Sequence, residues 1–273
     1  MGVALAFGFF FDLPIAENLD LVDRVLDLTL GDHALADLLE RQTYMPMATG
    51  KMRKPASLDW PRLRKLVAKG DVITFCVRTD TASGDARQIE LALNCIGPAF
   101  RDKADFHHAR IPHAYQGHLS LGGEVLAGCR DVDAFVSAVC GGFASRLRLA
   151  AGVVVAEPTH LDAYRIARCS GGLPGVGVSD RCDRLWIAQR SWGPFAREPE
   201  WGTFLQRRHA EAIGGAAAIR AAVEPFALVE ADDLVYVQVT PYAEALGATA
   251  TAKIAALETL MRPVLDGPST RRP

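Results

Sequence analysis

Residues 226–240 read FALVEADDLVYVQVT, and this stretch decides the fold class of the chain. Two apolar runs, Phe226–Glu230 and Leu234–Thr240, flank an Ala-Asp-Asp turn. In the second run valine occupies every other position, which is the two-residue period of a β-strand. Two such runs on either side of a short polar turn predict an antiparallel β-hairpin.

Further strands are predicted earlier in the chain. Val3–Phe11 is a continuous apolar run, which predicts a strand buried on both faces. The runs Val72–Val77 and Ile89–Asn94 are separated by the polar segment TDTASGDAR, so they predict a second antiparallel hairpin with a long loop. Gly152–Ala156 predicts a short apolar strand. No periodic pattern is visible from Tyr44 to Lys54.

Helices are predicted between these strands. Their signals are apolar residues at three- and four-residue spacing, N-cap residues such as Asp131 and Thr159, and terminal glycines. The predicted helices are Leu19–Leu30, a short segment ending near Glu40, Asp59–Gly70, Asp131–Leu147, a segment from Thr159, Trp201–Ile213, Ala216–Val223 and Thr249–Met261. Hairpins interspersed with helices predict an α+β fold, with a mostly antiparallel sheet packed with several helices. We expect residues 1–265 to form a single domain and residues 266–273 to form a polar tail.

Composition excludes several classes of partner. The formal net charge of −2 gives no uniform basic field, so no direct binding of nucleic acid is predicted. The apolar opening segment has no basic residues before it, and Asp12 and Pro14 interrupt it before it could span a membrane. Six cysteines are spread singly with no C-x-x-C pair, which favours reduced thiols and a cytoplasmic location.

A histidine-rich segment is the best candidate for a metal site. It contains four histidines beside Asp102 and Asp105, namely His107, His108, His113 and His118. Neither an H-x₃-H nor an H-E-x-x-H pair is present, and Pro112 opposes a helix that would align two imidazoles. Solvated loop histidines are therefore the favoured interpretation. The alternative is a metal-binding protein or an enzyme that uses the segment His107–His118.

No other segment predicts catalysis. The loop Ser170–Gly177 is glycine-rich, but it lacks the Lys-Ser/Thr of a phosphate-binding loop and the spacing of a dinucleotide fingerprint. No G-x-S-x-G motif is present for a serine hydrolase. We therefore predict a protein that is not an enzyme, with no catalytic residues, no bound metal and no cofactor.

Residues suited to binding another protein lie in two places. Glu230, Asp232 and Asp233 lie at the turn of the first-quoted hairpin, where acidic side chains are either ordinary turn residues or a patch complementary to a basic partner. Acid–base catalysis is less favoured, because no partner base or nucleophile accompanies them. Trp192 precedes Gly193-Pro194 in a predicted exposed loop and is either a core residue or an aromatic anchor.

Several longer segments resemble a known family. They read AYRIARCSGGLPGVGVSD, WGTFLQRRHAEAIGGAAAIRAAV, DDLVYVQVTP and MRPVL, in that order, and span roughly residues 160–265. Together they resemble the TsiV-like immunity family of the type VI secretion system (T6SS). The stretch TYMPMATGKMRKPASL is instead similar to a second immunity family, paired with restriction-endonuclease-like toxins.

Both resemblances imply the same class of function. They imply an antitoxin that binds a cognate effector, a nuclease in the leading case, in the cytoplasm of the cell that makes both. Such a protein needs a binding surface and no cofactor. Glu230, Asp232, Asp233 and Trp192 are the predicted partner-binding residues, and the oligomeric state is left open.

Overall fold

The computed structural model describes a large part of the chain. It describes residues 2–11, 20, 23–24, 27, 41–46, 51, 60–79, 84–94, 116–147, 149–168, 196 and 198–265. In these ranges no helix combines the length and the apolar character that a membrane crossing requires. The histidines His107, His108 and His113, the loop with Trp192 and the predicted tail 266–273 lie outside the described residues.

Nine strands of the described residues form one sheet. They are β1 Ala4–Phe11, β2 Arg41–Pro46, β3 Val72–Arg78, β4 Ile89–Asn94, β5 Gln116–Leu121, β6 Leu149–Glu157, β7 Gly202–Gln206, β8 Ala227–Glu230 and β9 Leu234–Gln238. Their order in the sheet is β2-β3-β4-β5-β1-β6-β7-β9-β8. Each neighbouring pair is antiparallel. The predicted α+β fold with a mostly antiparallel sheet is confirmed.

Helices cover both faces of this sheet. They are α1 Trp60–Ala68, α2 Gly123–Ala127, α3 Val132–Arg146, α4 His160–Arg168, α5 Arg207–Ala212, α6 Gly215–Val223 and α7 Ala248–Leu265. Two predicted N-caps are confirmed. The Asp131 side chain accepts a hydrogen bond from the Ala134 backbone N–H at 2.9 Å, and Thr159 accepts one from Asp162 at 3.1 Å. Each such cap contributes about 1 kcal/mol to helix stability.

The central strand β1 is buried on both faces, as predicted. On one face Phe7 and Phe9 belong to the main core beneath α3. Phe7 meets Phe135 edge-on with ring centroids 6.2 Å apart, and Phe9 meets Phe143 at 5.0 Å. Such aromatic pairs contribute about 0.5–1.5 kcal/mol beyond the area they bury.

The opposite face of β1 carries only small side chains, because α4 lies close against it. Ala4 and Ala6 of the strand share a cluster with Ala163 and Ala167 of the helix. A Cβ atom on Gly8 would lie 2.2 Å from the carbonyl oxygen of Ala167. Glycine at this position therefore permits the helix to pack directly on the strand, which brings the polar residues of α4 to the neighbouring strand β5.

Two predictions about secondary structure are wrong. The segment predicted as one helix, Trp201–Ile213, is divided between β7 and α5, because Gly202–Gln206 lies between β6 and β9 and is almost wholly buried there. Strands β2 and β5 were not predicted: β2 pairs with β3 from Arg41 to Pro46 with one irregularity, and β5 begins in the segment that was interpreted as a histidine-rich loop.

Candidate functional site

The acidic tip, defined as Glu230, Asp232 and Asp233, occupies the turn between β8 and β9. The turn is closed by a hydrogen bond from the Ala231 N–H to the Leu234 carbonyl at 2.8 Å. All three acidic side chains of the tip are exposed. The structure therefore brings the three predicted residues together on one projecting turn.

Arg207, the first residue of α5, holds the backbone of this turn. Its guanidinium donates from Nε to the Asp232 carbonyl and from a terminal nitrogen to the Ala231 carbonyl, both at 2.6 Å. Its own backbone N–H donates to the Asp233 carbonyl at 2.8 Å. Three hydrogen bonds to successive carbonyls fix the conformation of the tip. Binding of a partner therefore costs little conformational entropy in this turn.

Two cations lie near the tip: the Arg207 guanidinium contacts its backbone, and Arg220 contacts one of its carboxylates. Glu230 forms an ion pair with Arg220 of α6 at 3.5 Å, but both side chains are about half exposed, so the pair stabilises the fold weakly. Asp232 and Asp233 have no cation within salt-bridge distance in the described part of the chain. The Asp232 and Asp233 carboxylates therefore face solvent on a turn that Arg207 contacts only through the backbone, which favours association with a basic surface.

No metal-binding cluster is found at the tip among the described residues. Over the described ranges, no three residues among His, Cys, Asp and Glu lie close enough together to hold a metal ion. The predicted aromatic anchor, Trp192, lies outside the described residues. Sequence reasoning missed Phe226, which directly precedes β8 and is 47% exposed. Its signal was an aromatic residue directly after Pro225, at the start of the apolar run of β8.

His118 contradicts the prediction of a solvated loop histidine. It lies on β5, it is buried, and its Nε2 lies 3.0 Å from Oε1 of Glu90 on β4. The reason is the alternation in Gln116–Leu121: Leu119 and Leu121 face the main core, so His118 points to the other face, beneath α4. The alternating pattern was visible in the sequence, but proximity to the other histidines obscured it.

Four further contacts build a buried histidine cluster, defined as Glu90, His118, Ser120, His160 and Tyr164. Ser120 Oγ lies 2.9 Å from His160 Nε2 and 3.4 Å from the Glu90 carbonyl. The Tyr164 ring meets His118 edge-on at 4.8 Å and stacks on His160 at 6.4 Å. A serine beside a histidine is the arrangement of an activated nucleophile. Ser120, however, is fully buried, so the geometry is that of a packing cluster that holds α4 on the sheet.

The Glu90–His118 contact is predicted to stabilise the fold measurably. Because each residue makes further contacts, single substitutions do not isolate the pair, and a double-mutant cycle is needed. With Glu90→Ala, His118→Ala and the double variant, we expect a coupling free energy of about 1–2 kcal/mol in urea unfolding. Additivity within about 0.3 kcal/mol would show that the pair has no net stabilising interaction.

A second polar network ties α3 to β9. Asp133 accepts hydrogen bonds from the Gln238 side chain at 3.0 Å and from the Tyr242 backbone at 2.9 Å. The Tyr236 hydroxyl donates to Gln238 at 3.3 Å.

Burial raises the pKa of the Tyr236 phenol well above 10.0, and burial also raises the pKa of the Cys140 thiol above its ordinary 9.0. Both groups therefore stay neutral in the folded state.

These raised pKa values predict a loss of stability at alkaline pH. The unfolded chain ionises Cys140 and Tyr236 at their ordinary pKa values and the folded protein does not. Their contribution is therefore complete below about pH 9 and is lost as the pH rises. The unfolding free energy therefore falls as the pH rises through this range. We expect Cys140→Ala with Tyr236→Phe to show a shallower decline of unfolding free energy between about pH 9 and pH 11. Equal slopes in the variant and the wild type would contradict the assignment.

No protein-family model matches the chain, and no curated protein matches it. Among solved structures it is similar to one described as the Pseudomonas aeruginosa T6SS protein PA0821, with a TM-score of 0.58. The fold of this chain is similar to the fold of that protein. The likeness covers 99% of this chain and 77% of that one at 19% identity, which establishes a shared fold and leaves the TsiV-like family as a prediction.

Proposed function

We propose that the chain is an immunity protein that binds a cognate T6SS effector and neutralises it in the cytoplasm. The observation that supports this most strongly is a fold similar, over 99% of the chain, to that of a protein described as a T6SS protein. The sequence segments that resemble the TsiV-like immunity family supply the finer assignment. Because neutralisation requires only a binding surface, the function needs no cofactor.

The acidic tip supports a basic effector as the partner. A nuclease binds a phosphate backbone through a positively charged cleft, because neutralisation of phosphates supplies most of its affinity for nucleic acid. An exposed acidic turn held by Arg207 is complementary to such a cleft. The immunity protein would neutralise the effector either by occupying the cleft or by distorting it.

The interface must extend beyond the tip. A stable complex of standard size buries about 800 Å² on each partner, and a few aromatic or arginine anchors carry most of its energy. Phe226 is the exposed aromatic residue closest in sequence to β8. Trp192 stays a predicted anchor.

Co-expression in bacteria tests the proposed function. The reading frame adjacent to the gene would be expressed from an inducible promoter, with and without this chain on a second plasmid. We expect expression of the adjacent product alone to stop growth, and co-expression of this chain to restore it. Arrest that persists although the chain accumulates in folded form would contradict the proposal, and so would an adjacent product that does not affect growth.

A further inference from the structure

Strand β8 is the outermost strand on its side of the sheet. It pairs with β9 only, so its second side has no strand partner in the described part of the chain. Ala227, Leu228 and Val229 are partly exposed, and Glu230 is exposed. An edge strand with open backbone groups is a template on which another chain can add a strand.

Two hydrogen bonds fix which backbone groups face outward. The Ala231 N–H donates to the Leu234 carbonyl, and on the other side of β9 the Val239 N–H donates to the Trp201 carbonyl. Because hydrogen-bonded pairs alternate in an antiparallel ladder, Val229 bonds to β9 whereas Leu228 and Glu230 direct their N–H and C=O groups away from it. No hydrogen bond among the described residues uses these four outward groups.

The two ends of this edge differ in chemical character: one is aromatic and the other is acidic. Phe226 is exposed immediately before the strand, and the acidic tip lies at its other end. The strand sequence ALVE contains no basic residue and no proline. An incoming strand can therefore pair without obstruction by proline, and charge favours a partner whose basic side chains lie near the tip.

We propose that a strand of the effector adds to the open edge of β8, with basic side chains against the acidic tip. This inference rests on the proposed function and specifies its binding mode. Backbone hydrogen bonds to Leu228 and Glu230 supply affinity, while Phe226 and the tip select the partner. A second copy of this chain would present the same acidic edge with no basic residue in the strand, so it fits less well.

Residue-resolved amide hydrogen exchange tests the proposal. The protein would be isotope-labelled, and its exchange compared alone and with the product of the adjacent reading frame inactivated by substitution. In the free protein we expect fast exchange at Leu228 and Glu230 and slower exchange at Val229 and Ala231, which bond within the hairpin. In the complex, exchange at Leu228 and Glu230 should slow by about tenfold or more.

The outcomes separate this proposal from the proposed function. A complex in which Leu228 and Glu230 keep fast exchange overturns the β8 edge and leaves the immunity function standing. Failure to form any complex overturns both. The free protein supplies a third outcome. If exchange at both amides slows as the concentration of the free protein is raised, a second copy occupies the edge, which also overturns the proposal.

A pair of substitutions at one position supplies an independent readout. Glu230→Ala removes the carboxylate and keeps the outward N–H, whereas Glu230→Pro removes both. We expect Glu230→Pro to bind the effector at least about tenfold more weakly than Glu230→Ala, because only proline deletes the donor. Circular dichroism and the thermal midpoint establish that both variants are folded. Equal affinities of two folded variants would overturn the proposed strand addition.

Discussion

Replacing Glu230, Asp232 and Asp233 together with lysine is expected to weaken binding of the effector by about 100-fold or more. The substitution changes the charge of the tip by six units while Arg207 still holds the turn through backbone carbonyls. Placing like charges against each other in an interface costs several kcal/mol, and loss of steering also slows association. Titration calorimetry and association kinetics at two salt concentrations measure both effects.

A matched variant distinguishes the tip from overall charge. Asp71, Glu244 and Glu258 are exposed carboxylates on other elements, and their replacement by lysine makes the same change in net charge. This variant should bind within about threefold of the wild type, because it leaves the three carboxylates of the tip in place. Equal weakening by both triple variants would remove the acidic tip as the binding site.

Trp201→Ala is expected to lower the free energy of unfolding by about 3–5 kcal/mol. The Trp201 side chain is among the largest fully buried ones of the core, and its indole N–H donates to Thr240 Oγ1 at 3.0 Å. Truncation leaves a cavity and also removes the donor from a buried hydroxyl. Urea unfolding followed by circular dichroism measures the change.

Trp201→Phe is the matched control for this substitution. It retains an aromatic ring in the core and removes the indole N–H, so we expect a loss of about 1–2.5 kcal/mol. A cost of Trp201→Ala below about 1 kcal/mol would show that this part of the core is not packed as described.

Elements with strong local signals were predictable from the sequence. The hairpin around Ala231–Asp233 and the two-face burial of β1 follow from alternation and from an unbroken apolar run. The caps Asp131 and Thr159 were predictable because a side chain that accepts from an N–H three residues later is a local interaction.

Elements determined by distant pairing were not predictable. In the window Trp201–Ile213 the apolar residues Phe204, Leu205 and Ile213 have helix-like spacing, but insertion of Gly202–Gln206 between β6 and β9 buries both faces and overrides that pattern. β2 likewise shows little intrinsic pattern, and its pairing with β3 creates the strand. His118 is an intermediate case: the alternation of its strand was visible in the sequence, but its burial depends on α4 lying across β5.

The candidate site was predictable only in part. The three acidic residues were visible in the turn sequence, since acidic side chains are common in turns. Their anchoring by Arg207, about 25 residues earlier in the chain, depends on β7 and β9 being neighbours. The open edge of β8 depends on the order of all nine strands, which no local pattern encodes.

Direct titration of the purified wild-type chain with the inactivated product of the adjacent reading frame tests the central claim. The account predicts a one-to-one complex with a dissociation constant in the nanomolar range, as expected for a well-packed interface of standard size. It also predicts affinity that falls as salt is raised, because the acidic tip contributes electrostatically. The absence of binding at micromolar concentrations of two folded proteins would contradict the account.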